Sequence, residues 1–412
     1  MTDQHDSQNE TRSKLAVKDG RADQQGTTWL WHLETTMLLI APIGIWHVKI
    51  RPILILTIFL IALANQDYRQ IDRRIPVYTG IYLVAMIALS ALSGSPGTAV
   101  KGALSFASGF LMLIPGVTIG RHLWRDGIRL QTLIPTSILL AVYFMSPAYY
   151  EGRLYFGVRD NPNGTGYSLL FAGLILGIAL ASQLIARHKD SQDKATRMLL
   201  IVNLVAVAVL LLFSNHRTGW LAAICFAAFW LTCRFGASRV IQIAAYVGTG
   251  GLFAAFIVAF DRKDILTSIK SLDIRLSMWH TAIERTISSH PFSGFGFNTF
   301  REVFGVYSYQ DISRVYNHPH NIGVDLFFST GFIGLGLTLA YILSQIRLAK
   351  GMSIDRHNPI SIASLAALVS LLIAFMFGRS IASFEVTGSL SCLYGVFLAQ
   401  STLHQQNGSV TR

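Results

Sequence analysis

The sequence predicts an all-α membrane protein that crosses the bilayer about twelve times. Two observations carry this prediction. Hydrophobic residues make up 52% of the 412 residues and charged residues only 14%, which is far from the composition of a soluble globular protein. Apolar runs of about 17–25 residues, long enough for a helix to cross the hydrocarbon core, also recur along the whole chain.

The apolar runs set the order of the predicted elements. Residues 1–28 are polar and lack an apolar core, which predicts a disordered tail and not a cleavable signal peptide. A single transmembrane domain follows over 29–402, and a short C-terminal tail covers 403–412. Within this domain we expect spans at 29–46, 52–65, 75–92, 99–119, 131–148, 166–186, 198–213, 218–233, 239–260, 321–345, 358–377 and 386–402.

Basic residues orient these spans. If the N-terminus is cytoplasmic, 20 of the 34 Lys and Arg residues fall on the inner side. Of the 14 outer basic residues, 7 belong to the long outer loop 261–319, and long loops are largely exempt from the positive-inside rule. The comparison is therefore between 20 basic residues on the inner side and the 7 others on the outer side. Both termini are therefore expected in the cytoplasm. The net charge of +12 reflects this bias, and no basic–aromatic pattern indicates a nucleic-acid partner.

The outer loop 261–319 is the largest predicted extramembrane segment, and it is too small for a separate enzymatic domain. Apolar residues recur at three- and four-residue intervals over 274–287, which predicts an amphipathic helix against the outer face of the bundle. Pro291 would end this helix, and Gly294 and Gly296 would form a turn after it.

Polar residues gather on this outer face. His318 and His320 directly precede the span that begins at 321, and an imidazole titrates near neutral pH, so either can accept a proton there. The alternative is an interfacial histidine without chemistry. Arg217 lies between the seventh and eighth spans and Arg275 in the long loop, and an arginine near a span is expected to have a partner or a water-filled cavity.

Arg153 and Arg159 lie in the outer segment between spans five and six, where snorkelling of ordinary loop residues is the alternative interpretation. Several arginines without an acidic cluster of metal-ligand type favour a ligand that carries its own negative charge. Bidentate guanidinium contacts match phosphate oxygens, so a lipid pyrophosphate fits this face and no metal or other cofactor is expected.

Two spacings resemble the motifs of a known family. In the stretch 320–334, a His-Asn pair is followed after nine residues by Gly-Phe-Ile-Gly, and this resembles the His motif of bacterial O-antigen ligases. Arg217 with Leu221 resembles the Arg-three-Leu motif of the same family.

Further segments are similar to the wider superfamily of ligases and polymerases. The segment around Arg275, with Trp279 and 291–296 after it, resembles the second Arg region, and residues 161–163 resemble an outer-loop Asn-Pro-Asn. The span count, the cytoplasmic termini and the long penultimate outer loop also agree, so the resemblance covers nearly the whole chain.

The resemblance implies a metal-independent, inverting glycosyltransferase with a GT-C-like membrane fold. It would move O-antigen from undecaprenyl pyrophosphate to a sugar hydroxyl of the lipid A–core oligosaccharide, at the periplasmic face of the bacterial inner membrane. By the same resemblance, His320 is the candidate base, and Arg217 and Arg275 are the candidate diphosphate ligands. Pro319 between them argues against His318 and His320 sharing one helical face. The candidate substrate-binding residues are Arg153, Arg159, Asn163, His318, Asn321 and Trp279.

Three other functions stay open from the sequence. A polysaccharide polymerase of the superfamily is favoured by two Arg-ten-Gly spacings, Arg153 to Gly164 and Arg285 to Gly296. A transporter is allowed by the many spans, although charges are sparse in the middle of the spans. A pilin-glycosylating oligosaccharyltransferase is less favoured because the chain has no long soluble C-terminal region.

Overall fold

The computed structural model describes residues 51–64, 71–125, 127–150, 153–156, 162–185, 191–214, 216–234, 262–309, 312–351, 359–376, 378 and 380–409. Helix predominates in them, which confirms the predicted helical class. The helices are α1 (Arg51–Ala64), α2 (Arg74–Ala91), α3 (Pro96–Gly109), α4 (Leu113–Arg125), α5 (Leu130–Phe144), α6 (Pro162–Ile185), α7 (Ser191–Phe213), α8 (Arg217–Arg234), α9 (Arg262–Ser289), α10 (Phe300–Phe304), α11 (Ile322–Gly351), α12 (Pro359–Phe375) and α13 (Phe384–Ser409). A 3-10 turn, Phe110–Met112, joins α3 to α4.

Among the described residues, 5 segments are long and apolar enough to cross a membrane: Arg74–Ala91, Pro96–Leu123, Gly166–Gln183, Lys194–Phe213 and Ile322–Ala349. Shorter apolar helices add Leu130–Phe144, Thr218–Leu231, Ile360–Phe375 and Glu385–Ala399. Helices lie at all the predicted spans except 29–46 and 239–260, which are outside the described residues. The chain is thus a multi-pass helical membrane protein, and the number twelve stays a prediction.

Two small hairpins correct the expectation of a purely α-helical fold. Strands β1 (Pro147–Tyr150) and β2 (Arg153–Phe156) pair between α5 and α6, and β3 (Val306–Tyr309) pairs with β4 (Ile312–Val315) before α11. The β3–β4 hairpin lies in the predicted outer loop 261–319. The β1–β2 hairpin begins at the last two residues of the predicted span 131–148 and continues into the outer segment after it. Their tyrosine, valine and isoleucine residues favour strands, and local pairing satisfies backbone groups that no helix takes up.

Small residues bring α13 close to α4. Added side-chain atoms at Gly116 or Gly120 would overlap the backbone of α13 at Cys392 and Val396. Close approach of this kind is how membrane helices gain packing energy without a hydrophobic driving force. Cys392 is accordingly buried.

Helix α9 is amphipathic, as predicted, and it is longer than predicted at its N-terminus. It ends at Ser289, two residues before Pro291. Its buried face includes Ile274, Met278 and Ala282, and Met278 and Ala282 pack into an aromatic cluster with Phe300 and Phe328. Apolar residues also stand exposed on α9 at Leu276, Ile283 and Ile287.

Candidate active site

Asn321 builds the start of helix α11. Its side-chain oxygen accepts hydrogen bonds from the backbone N–H groups of Gly323 (2.9 Å) and Val324 (3.0 Å). Such capping satisfies donors that an α-helix leaves without intrahelical partners. The sequence predicts Asn321 as a substrate ligand, but in the structure this oxygen fixes the direction in which the chain enters α11.

His320 directly precedes this cap in a left-handed backbone conformation, with φ of 56°. Few non-glycine residues adopt this conformation. The His320 N–H group donates a hydrogen bond to Nδ1 of His318 (3.2 Å), and the two rings meet edge to face with centroids 4.2 Å apart. Neither histidine is on the helix, so they share no helical face, yet the turn at Pro319 brings their rings together.

Trp279 ties this turn to helix α9. Its indole Nε1–H group donates a hydrogen bond to the Pro319 carbonyl oxygen (2.6 Å). Trp279 is predicted as a substrate ligand, and the structure shows its only N–H donor engaged by the protein itself. The position of His320 therefore depends on α9 as well as on α11.

Helix α11 is broken at Gly331, where φ is 61° and ψ is −160°. The break releases carbonyl groups from the helical ladder, and residues 291–296 supply their partners. Phe295 N–H donates to the Phe328 carbonyl (2.8 Å), and Gly296 N–H donates to the Ser329 carbonyl (2.9 Å). An irregular backbone in a membrane protein is tolerated where neighbouring segments satisfy it in this way.

The same segment also receives hydrogen bonds from beyond the break. Phe332 N–H donates to the Pro291 carbonyl (2.8 Å), and Ile333 N–H donates to the Phe292 carbonyl (3.1 Å). A Cβ atom at Gly331 would lie 2.6 Å from the Pro291 carbonyl oxygen. The predicted turn at 291–296 and the glycines of the His motif are therefore parts of one structural unit.

Arg275 lies on α9, one helical turn before Trp279, and its side chain is half-buried. Burial lowers the pKa of the Arg275 guanidinium, and the phenol groups of Tyr167 and Tyr316 act on that pKa in the opposite direction. An arginine keeps its proton at physiological pH, so a positive charge is held in a partly desolvated place. Such a charge attracts an anion more strongly than one in bulk water.

Tyr316 lies beside the candidate base, and sequence reasoning missed it. Its ring meets the His320 ring edge to face, with centroids 5.9 Å apart. Arg275 is connected to the same turn through Trp279, which lies one helical turn further along α9 and bonds to the Pro319 carbonyl oxygen. No motif or spacing marks Tyr316 in the sequence.

Tyr167 connects helix α6 to the start of α8. Its ring meets the His216 ring edge to face, with centroids 4.0 Å apart. His216 Nε2 is 3.1 Å from the Thr218 hydroxyl, and His216 immediately precedes Arg217, the first residue of α8. The starts of α6 and α8 therefore lie side by side.

For the remaining predicted ligands, only the position of the backbone is described. Arg153 begins strand β2, Asn163 is in the first turn of α6, and Arg159 lies outside the described residues. The ring of Phe156, at the end of β2, packs against Phe213 at the end of α7, with centroids 5.1 Å apart. The β1–β2 hairpin is thus next to the turn that leads into α8.

Sequence reasoning also missed Asp325, a carboxylate in the first turn of α11. It is 3% exposed and accepts hydrogen bonds from the Ser380 hydroxyl (2.7 Å) and the Ile381 N–H group (2.9 Å). An acidic residue within an apolar predicted span was the signal that could have found it. Asp325 holds the first part of α11 to the turn before α13.

These contacts define a class of protein: a multi-pass helical membrane protein in which tyrosines pack against histidines where helices α6, α8 and α11 begin. A family model described as O-antigen ligase matches residues 202–339. This match covers about a third of the chain and supports an O-antigen ligase-family protein. The match begins within α7 and ends within α11, so it contains Arg217, Arg275 and His320. No curated protein matches the chain.

Proposed function

We propose that this chain is an O-antigen ligase, which transfers O-antigen from undecaprenyl pyrophosphate to a sugar hydroxyl of the lipid A–core oligosaccharide. The site would open to the periplasm from the inner membrane, with both termini in the cytoplasm, as the distribution of basic residues predicts. The observation that carries the proposal is the match of the family model to residues 202–339, which contain Arg217, Arg275 and His320.

Arginine supplies the charge that this reaction needs. As the bond to the donor sugar breaks, negative charge develops on the departing diphosphate, and the partly desolvated guanidinium of Arg275 stabilises it. Arg217 is the proposed second ligand of the diphosphate. Two guanidinium forks match phosphate oxygens in geometry, and they would act in place of a metal ion.

His320 is the proposed general base. Its neutral imidazole takes the proton of the acceptor hydroxyl while the hydroxyl oxygen forms a bond to the anomeric carbon of the donor sugar. The bond from that carbon to the diphosphate oxygen breaks, and its electron pair leaves with undecaprenyl pyrophosphate. Attack from the face opposite the leaving group inverts the anomeric configuration.

The other predicted ligands fall into two groups in this proposal. Arg153, Arg159 and Asn163 would contact the donor, because the β1–β2 hairpin and the start of α6 adjoin the turn before α8. Asn321 and Trp279 would act through His320, because their polar atoms bond to the backbone around it.

A polysaccharide polymerase of the same superfamily is the second candidate, favoured by the Arg-ten-Gly spacings. The structure gives the second spacing another explanation. The Arg285 guanidinium lies 5.3 Å from the centroid of the Phe304 ring, and Gly296 has φ of 100° in the turn that joins the break in α11. Both residues thus have packing roles that require no shared ligand.

A deletion strain separates the two candidates by its lipopolysaccharide. Loss of a ligase should leave lipid A–core without polymer while lipid-linked polymer accumulates. Loss of a polymerase should instead leave core that bears one repeat unit. Complementation with the wild-type chain should restore the ladder of polymer lengths, and complementation with Arg275→Ala should not.

A further inference from the structure

We infer that the turn 291–297 is a re-entrant segment that enters the edge of the hydrocarbon core, where the Phe292 side chain contacts lipid acyl chains. The sequence predicts this turn as part of the outer loop 261–319, outside all of the predicted spans. The contact with lipid goes beyond the proposed ligase reaction and does not depend on it.

Helix α11 shows where its lipid-facing surface begins. All residues from Asp325 to Gly331 are buried, whereas Phe332 and Ile333, directly after the break, are 52% and 48% exposed. Further exposed apolar side chains follow along the helix at Leu339, Ile342, Leu343 and Ile346. An exposed apolar side of a membrane-crossing helix faces lipid, because contact with water would cost free energy. From Phe332 to its end at Gly351, α11 is roughly 30 Å long, which is the thickness of the hydrocarbon core.

Backbone hydrogen bonds hold Phe292 at the level where this surface begins. The N–H groups of Phe332 and Ile333 donate to the carbonyl groups of Pro291 (2.8 Å) and Phe292 (3.1 Å) respectively, so the two stretches of chain lie side by side. The Phe292 residue is itself 66% exposed. Exposed apolar side chains on two bonded stretches of backbone extend the lipid-facing surface of α11 onto the turn, and a patch of this kind marks a site of membrane contact.

The other side of the turn is wedged against a second membrane span. Phe297 is fully buried, and its ring stacks on Phe106 of α3 with centroids 5.0 Å apart. A Cβ atom at Gly102 of α3 would lie 2.8 Å from the Phe297 carbonyl oxygen. Gly102 is roughly 9 Å along the helix axis from the start of α3 at Pro96, so the turn reaches past the end of this span. Irregular backbone at membrane depth is tolerated where protein buries it, as α3 and α11 do here.

Lipid fits the exposed side of the turn better than a second copy of the chain does. Interfaces between membrane helices are enriched in small residues that allow close approach of the backbones, whereas Phe292, Phe332 and Ile333 are large. Residues 332–346 also contain no charged residue that could select a protein partner. Because the turn follows α9, its contact with lipid would fix the end of the helix that carries Arg275 and Trp279 at the membrane boundary.

The test uses the full-length protein in lipid nanodiscs and power-saturation electron paramagnetic resonance of a nitroxide label. The label is attached to Phe292→Cys in a background without native cysteines, which carries Cys225→Ala, Cys233→Ala and Cys392→Ala. Oxygen partitions into the hydrocarbon core and a nickel chelate stays in water, so their relative effects on the label report its depth. At Phe292→Cys oxygen should act more strongly than the nickel chelate, as it should in the lipid-facing control Leu339→Cys. The matched control Glu284→Cys, which replaces an exposed carboxylate on α9, should show the reverse order.

Two outcomes would overturn the inference. A stronger effect of the nickel chelate at Phe292→Cys, as at Glu284→Cys, would place the turn in water. Weak effects of both reagents would mean that protein, such as a second copy of the chain, covers Phe292. If the cysteine-free protein does not accumulate, Phe292→Trp in the otherwise native chain should add fluorescence that brominated lipids quench, and Glu284→Trp should add fluorescence that they do not. Equal quenching at the two positions would contradict the lipid contact. Each of these outcomes leaves the proposed function standing, because none measures glycan transfer.

Discussion

Individual side chains around His320 divide according to what their polar atoms contact. Asn321, Trp279 and His318 bond to backbone groups of the turn or of the helix that follows it. Arg275 instead holds a partly desolvated positive charge one helical turn from Trp279. Changes in the first group should therefore alter the position of His320, whereas a change at Arg275 should alter the charge offered to the ligand.

His320→Ala should lower transfer by about 10²–10⁴, the usual contribution of a positioned proton acceptor. The protein should still accumulate and bind lipid-linked donor, because His320 lies outside the helices that form the bundle core. The wild-type rate should also decline as the pH falls through the range in which an imidazole takes up a proton, since the cation cannot accept the hydroxyl proton. Transfer of a labelled glycan in membranes measures both effects. Near-normal transfer by inserted His320→Ala would refute the assignment.

His318 provides a matched pair of variants for the same assay. Its Nδ1 atom accepts the His320 N–H group, and the side-chain oxygen of asparagine can accept a hydrogen bond from a similar position. His318→Asn should therefore keep more activity than His318→Leu, and both should keep more than His320→Ala. A loss in His318→Asn as deep as that in His320→Ala would exchange the roles of the two histidines.

Arg275→Ala should lower transfer by about 10²–10³, the usual effect of removing one donor that stabilises developing charge. Arg275→Lys should rescue poorly, because an ammonium group cannot reproduce the planar guanidinium fork. Arg217→Ala should show a loss of the same order, and wild-type transfer should survive EDTA. Full activity in Arg275→Lys together with a strict requirement for a divalent metal would contradict the proposed role of both arginines.

Secondary-structure elements show where sequence reasoning works and where it stops. The end of α9 before Pro291 and the turn at Gly294 and Gly296 follow from local rules, and the structure confirms them. The break at Gly331 was not predicted, because apolar composition continues through it and nothing local shows which backbone groups lose their helical partners. Those partners come from residues 291–296, a contact distant in sequence.

Gly331→Ala should destabilise the fold and lower transfer. The new Cβ atom would meet the Pro291 carbonyl, and alanine at positive φ is strained, so the free energy of unfolding should fall by more than about 1 kcal/mol. Gly336→Ala is the matched control on the same helix, because no atom lies within 4 Å of the added methyl group. That variant should be neutral or slightly stabilised. Thermal unfolding in detergent compares the two, and equal midpoints would show that the break in α11 does not depend on glycine.

Across the whole molecule, the beginnings of α6, α8 and α11 converge although α6 and α11 are far apart in sequence. Arg217, Arg275 and His320 were predicted on one face from span order and charge alone. The ring contacts place Tyr316 beside His320 and Tyr167 beside the residue that precedes Arg217. Tyr167 and Tyr316 could not be predicted, because long-range packing leaves no periodic signal in the sequence. Only the distribution of basic residues indicates on which side of the membrane this end of the bundle lies.

The bias of 20 basic residues against 7 predicts that the end of the bundle with these residues faces the periplasm. A cysteine introduced by Ser308→Cys in strand β3 should therefore react with a membrane-impermeant thiol reagent in cells whose outer membrane alone is permeabilised. Ser191→Cys at the start of α7 is the matched control for the cytoplasmic side, and it should react only after the inner membrane is opened. Labelling at Ser308→Cys that also requires an opened inner membrane would place Arg275 and His320 in the cytoplasm. A donor presented on the periplasmic leaflet could not then reach them, so the proposed ligase reaction would fail with the topology.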